Sequence, residues 1–342
     1  MSKTTLRVAA TYIGAVMGAG FASGQEILQF FTIYRAKGIL GIVAAGILFA
    51  LFGFWSLSLI KRYHINTYQD MFALLLGKRL GKLCEVIVTI FLFAGLVIML
   101  AGSGAVFEEY FGLSPTFGVL LTSLAVLIAL ASRGEGVMWI NTVLIPLKLV
   151  ICLSVSLAVM TMSVSPQGAS ISPPVPDRHW FASALLYVSF NMTFAMVVLS
   201  SLGHDLKGNL LGGILGGVGL GLFALAIGSA LWRLYPEVSE YQVPMVHIAL
   251  QVSPMIGVLY LLVLWFAMIT AAVGNAFSFV KRITQLSDLP YLVVCLVSVA
   301  TAFPLAHLRF SDLVAVVYPA FGYIGLLLLG PLAYLALKHK LS

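Results

Sequence analysis

The sequence predicts an all-α membrane protein in which ten transmembrane helices form two inverted repeats of five, with helices one and six interrupted near the middle of the membrane. Three observations carry this reading. Of the 342 residues, 61% are hydrophobic and 9% charged, and the mean hydropathy is +1.06, far from the composition of a soluble domain. Apolar stretches of about 20 residues, the length that spans a hydrocarbon core, recur along the whole chain. The proline-bearing segment from Ser163 to Arg178 divides the chain almost in half. An odd number of spans on each side of that linker obliges the second half to run with inverted topology, a pattern in which broken helices at matching places mark transporters.

The spans are placed at 7–33, 38–61, 82–107, 115–132, 137–162, 179–204, 209–233, 254–280, 287–306 and 310–337, so the repeats cover about 7–162 and 179–337 of a single domain, 1–342. His64 to Lys78 and Val243 to Val252 read as short amphipathic helices between spans. The N-terminal run resembles a signal peptide, but it continues through Gln25 and Glu26 to Ile33, too long for an h-region, and is read as the first span. With the N-terminus inside, 13 of the 19 Lys and Arg fall on the inner side and 5 on the outer, with Lys148 inside helix five. The positive-inside rule therefore puts both termini in the cytoplasm and the protein in the cell membrane. Scattered over short loops, the net charge of +7 forms no basic face for nucleic acid. Cys84, Cys152 and Cys295 lack metal or disulfide spacing and read as packing residues.

The polar exception lies in helix one, Gly14-Ala-Val-Met-Gly-Ala-Gly-Phe-Ala-Ser-Gly-Gln-Glu26. A glycine-rich interruption frees backbone N–H and C=O groups that must be met by protein, water or solute. Ser189, Asn191 and Thr193 interrupt helix six at its centre, about half the chain away. The glycines of helix seven, Gly212 to Gly221, have no polar company and read as close helix packing.

The stretch Gly14-Ala-Val-Met-Gly-Ala-Gly-Phe21 resembles the first-helix signature of the amino acid, polyamine and organocation transporter superfamily, and its continuation to Glu26 is similar to the YkvI-like bacterial membrane proteins. The resemblance implies the LeuT-type fold. It implies that backbone amides at Gly18, Ala19 and Gly20 receive a substrate carboxylate, in keeping with exposed N–H groups at a half-helix start. Carbonyls at Phe190, Asn191 and Met192 would receive an ammonium group, with the Asn191 side chain, Ser23 and Thr193 as further polar contacts.

Sodium-coupled members hold an ion between helix one carbonyls, here Gly14 and Met17, and two adjacent hydroxyl residues of helix eight. Thr270 fills the first position, and Ala271 leaves the second without an oxygen. In some proton-coupled members a lysine on helix five takes the place of that ion. Lys148 resembles it, about 11 residues from either end of its span and too deep to snorkel. Proton coupling through Lys148 is the preferred expectation, Na+ coupling the alternative, and a structural pair with a carboxylate the plainer reading. Glu26 is open between a gate or proton site, a contact to a cationic substrate group and a pairing with Arg35 or Lys37 at the outer end.

These readings converge on a secondary transporter of a small solute, an amino acid or related amine, working by alternating access with no cofactor and no metal. The alternative is a solute sensor or receptor subunit on the same fold. No nucleophile and base pair appears at a workable spacing, so an enzyme is not expected.

Overall fold

The computed structural model describes residues 2–132, 135–162, 179–202 and 209–338, and within 135–143 the backbone alone. The predicted linker therefore lies outside the described residues. In chain order the helices are α1 (Lys3–Val16), α2 (Ala19–Ser23), α3 (Gln25–Phe30), α4 (Ala36–Arg62), α5 (Tyr68–Phe111), α6 (Pro115–Ala131), α7 (Glu135–Thr161), α8 (Trp180–Ser200), α9 (Leu210–Arg233), α10 (Pro244–Val252), α11 (Pro254–Leu286), α12 (Tyr291–Leu305) and α13 (Phe310–Lys338).

Among the described residues seven helices are long and apolar enough to cross a membrane, and α6 and α12 are shorter apolar helices. Large apolar side chains such as Ile47, Ile90, Ile128, Leu222 and Leu296 stand exposed around the molecule. In water such a surface would be a liability, and in lipid it is the solvent-facing side. The two expected amphipathic pieces are present: the start of α5, set off by Gly77 at φ 79°, and α10.

Inside this apolar shell α1 packs on α9, α9 on α4, α4 on α8, α8 on α13 and α5 on α11. The helix seven glycines serve that packing. A Cβ on Gly217 would lie 2.2 Å from the Ala50 nitrogen, and one on Gly221 would lie 2.8 Å from the Gly46 Cα. Only a bare backbone lets α4 and α9 approach so closely.

One expectation fails. Helix six is not broken: α8 is a continuous α-helix across Ser189, Asn191 and Thr193. No glycine or proline interrupts it, and its polar side chains bond back onto its own turns. Asn191 Nδ2 donates to the Tyr187 carbonyl at 3.0 Å and Thr193 Oγ1 to the Ser189 carbonyl at 3.0 Å. Such back-bonding satisfies a polar residue inside a membrane helix without opening the ladder.

Candidate functional site

Helix one is interrupted twice. At the first interruption Met17 leaves helical geometry with ψ 73°, and Gly18 continues extended, φ −72° and ψ −173°, before α2 begins. Within the break Met17 N donates to the Ile13 carbonyl and Gly18 N to the Val16 carbonyl, both at 2.8 Å. The first amides of α2, at Ala19, Gly20 and Phe21, have no acceptor inside their own short helix. At the second interruption Gly24, φ 83°, joins α2 to α3. Ser23 stitches that turn: its Oγ donates to the Gly20 carbonyl at 2.7 Å and accepts from Gln25 N at 3.1 Å.

The first break opens on a cavity of about 440 Å³ bounded by α1, α2, α5, α7, α8, α11 and α13. Lys148 enters it from α7, only 7% exposed, and its Nζ donates to the freed Met17 carbonyl at 2.5 Å. A buried ammonium needs such an acceptor, and a continuous helix would not have supplied one.

Glu26, in the first turn of α3, folds back toward the break. A Cβ on Gly20 would lie 2.3 Å from Glu26 Oε1 and 3.3 Å from the Tyr318 hydroxyl. The carboxylate is 4% exposed, and among the described residues its Oε2 has no hydrogen-bond partner. Glu26 therefore does not reach the outer end to meet Arg35 or Lys37. It shares the cavity wall with Lys148.

Most of the residues singled out in the sequence line this space: Gly14, Met17, Gly18, Ala19, Gly20, Glu26, Lys148, Phe190, Asn191 and Thr270. Thr270 Oγ1 donates to the Ala267 carbonyl at 3.1 Å, which leaves its lone pairs as acceptors. Two residues stand apart. Ser23 is fully buried in the α2–α3 turn, and Thr193 lines a separate small apolar pocket beside Phe321 and Leu328.

The structure adds Tyr318, Asn275 and Phe91. Tyr318 stacks on Phe190 with ring centroids 4.9 Å apart, and Phe190 meets Phe30 and Tyr187 at 5.7 and 5.5 Å. Asn275 Nδ2 would lie 2.5 Å from a Cβ on Gly95. Asn275, one amide in a long apolar helix, was a readable signal. A tyrosine such as Tyr318 reads equally well as an interfacial anchor, so its place here had no sequence signature.

Phe30, Phe31, Tyr187, Phe190 and Tyr318 form one aromatic group, of which Phe190 and Tyr318 line the cavity. Beyond the break α10 packs on α2, where its Met245 Cγ would be 2.6 Å from a Cβ on Gly24. Toward the N-terminal face the lining continues along Ile145, Val198, Gly274 and Asn275. In the predicted span order the ends of α8 and α11 that carry Val198 and Gly274 face the side of the N-terminus, as does the start of α9, where Asn209 bonds Thr5 Oγ1 at 3.0 Å. The cavity thus opens toward the side that carries the N-terminus. Among the described residues no three His, Cys, Asp or Glu side chains gather as metal ligands.

No family model matches the chain. It is 29% identical over 330 residues to the Bacillus subtilis (strain 168) membrane protein YkvI, itself uncharacterized, covering 95% of this chain and 94% of YkvI. It is 25% identical over 320 residues to the uncharacterized protein YyaD of the same organism, 93% and 92% of the two chains. Among solved structures it is similar to the inward-facing conformation of Mhp1, TM-score 0.64 and 12% identity over 94% of this chain and 73% of that one. The manganese transporter of Eremococcus coleocola matches with TM-score 0.62 and 13% identity over 96% and 78%. A substrate-bound, outward-open Na+-coupled sialic acid symporter matches less well, TM-score 0.51 and 16% identity over 93% and 75%. In sequence the chain is similar to the membrane protein YkvI, and in fold it shares the LeuT-like architecture of these solved structures.

Proposed function

We propose that this protein is a secondary transporter that carries a small solute, an amino acid or related amine, across the cell membrane by alternating access, coupled to protons through Lys148. The observation that carries the reading is the bond from Lys148 Nζ to the Met17 carbonyl at the break in helix one. It ties the one buried lysine on α7 to the element whose free backbone groups line the cavity. Proton loss from that amine would remove the charge that strengthens its bond to the carbonyl, and proton gain would restore it, so the proton state of Lys148 would bias the shape of the break. Both termini are placed in the cytoplasm by the distribution of Lys and Arg. In this reading the cavity is captured open to the cytoplasm, with the first amides of α2 beside the Gly18 opening available to a carboxylate.

Sodium coupling is favoured by one observation, the presence of the Thr270 hydroxyl in the same cavity as Gly14 and Met17. Against it, the Met17 carbonyl is already taken by Lys148, and Ala271 brings no oxygen. A sensor on the same fold would bind solute without moving it. Purified protein in liposomes, given a pH gradient or a sodium gradient, separates these readings. Uptake driven by pH and lost in Lys148→Ala is the expected result. Uptake driven by pH that survives Lys148→Ala removes the lysine from the mechanism, and binding without counterflow favours the sensor.

A further inference from the structure

We infer that Glu26 is the counter-ion for the ligand's amino group, so that the cavity selects solutes carrying a protonated amine. The inference rests on the reading of this cavity as a solute site and names the chemistry that the site recognises.

The acceptors left in the cavity narrow the choice. Carbonyls of a broken helix six were the expected seat for an ammonium, but α8 is continuous and keeps its carbonyls in its own ladder. On the side of helix one, Met17 offers a free carbonyl, and Lys148 occupies it. Neutral acceptors such as the Thr270 hydroxyl share the wall; the acidic one is Glu26, whose Oε2 is buried and, among the described residues, without a partner.

Leaving a buried carboxylate oxygen unmet is costly, and a cation placed against it removes most of the cost. Lys148 is the nearest candidate within the protein, but its ammonium is bonded to Met17 and no hydrogen bond joins it to Oε2. The missing partner is a cation from outside the chain.

Its class follows from the surroundings. A bare metal ion needs several oxygen ligands to replace its water, whereas Glu26 stands beside Gly20 and the Tyr318 hydroxyl and next to the stacked Phe190 and Tyr318 rings. One carboxylate, one hydroxyl and an aromatic wall suit an organic ammonium, which takes few hydrogen bonds and gains from nearby rings. The volume of about 440 Å³ accommodates a small organic molecule.

The test is a thermal-shift and binding panel on the purified full chain at neutral pH. It pairs L-phenylalanine with 3-phenylpropionate, L-leucine with 4-methylpentanoate, 2-phenylethylamine with 2-phenylethanol, and butylamine with butanol, so that the members of each pair differ by the amine. At least one amine-bearing member is expected to stabilise the protein where its partner does not. In Glu26→Gln, which keeps the shape and removes the charge, the same amine binds about 10- to 100-fold more weakly, as expected for loss of one charged hydrogen bond. Glu26→Asp retains part of the affinity, which separates charge from folding. The inference is overturned if a partner lacking the amine binds as tightly, if Glu26→Gln keeps full affinity, or if no amine in the panel binds. Amine binding that depends on Glu26 with no counterflow in liposomes would instead defeat the transporter reading and leave this one standing.

Discussion

At the scale of the residue, the two glycines at the break differ in what they face. A Cβ on Gly18 would meet nothing within 4 Å, and its φ is −72°, so Gly18→Ala should leave the thermal unfolding midpoint unchanged. At Gly20 the same atom would press on Glu26 Oε1, the far end of a flexible side chain that can swing away. Gly20→Ala is therefore expected to change stability by less than about 1 kcal/mol while lowering amine affinity roughly tenfold, because the carboxylate is displaced from its seat. A large drop in unfolding midpoint with unchanged binding would show that Gly20 packs rather than positions. Both glycines were visible in the sequence as a motif. What distinguishes them was not, since it depends on a carboxylate six positions along that turns back through Gly24.

Gly24 carries the argument at the scale of the element. It holds φ 83°, a region where an L side chain costs about 1–2 kcal/mol, and a Cβ there would also strike Met245 of α10. Gly24→Ala should lower stability by roughly 1–3 kcal/mol. Adding Met245→Ala should recover the share due to the clash and leave the share due to backbone strain, a double-mutant comparison read from unfolding midpoints. Full recovery would show that the backbone conformation is not strained. The contrast with α8 is instructive. Helices one and six both show polar residues in an apolar run, but the α2–α3 break of helix one is held by Gly24 at φ 83°, whereas α8, with no glycine, absorbs Asn191 and Thr193 by bonding within the helix and Ser189 by bonding to the carbonyls of Leu186 and of Gly322 on α13. Polarity alone overstated the second break, because a hydroxyl or amide can satisfy itself on the preceding turn.

Across the whole molecule, the cavity runs from the Phe190 and Tyr318 rings toward Gly274, which is exposed and lies toward the N-terminal face in the predicted span order. A cysteine at Gly274, exposed along the opening and with nothing within 4 Å of its Cβ, should react with a membrane-impermeant maleimide added on the N-terminal side. One at Ala22, 1% exposed beyond the break, should not. The native cysteines are buried and are replaced for the assay. Labelling of Ala22→Cys from the opposite side alone would mean that the protein rests mainly in the other orientation in its membrane.

Much of this was legible in the chain itself. Apolar runs of spanning length mark membrane helices whatever their neighbours, since in lipid each helix satisfies its own backbone, and the glycines and carboxylate of helix one announce a break for the same reason. The sequence alone therefore determined the helical class, most spans, the first break and the depth of Lys148. Only the tertiary structure decided that α8 stays whole, that Ser23 and Thr193 face away, that Tyr318 and Asn275 face in, and that Lys148 takes Met17 while Glu26 Oε2 takes nothing. Those outcomes depend on which polar group reaches which acceptor first, and that is set by the packing of helices far apart in sequence.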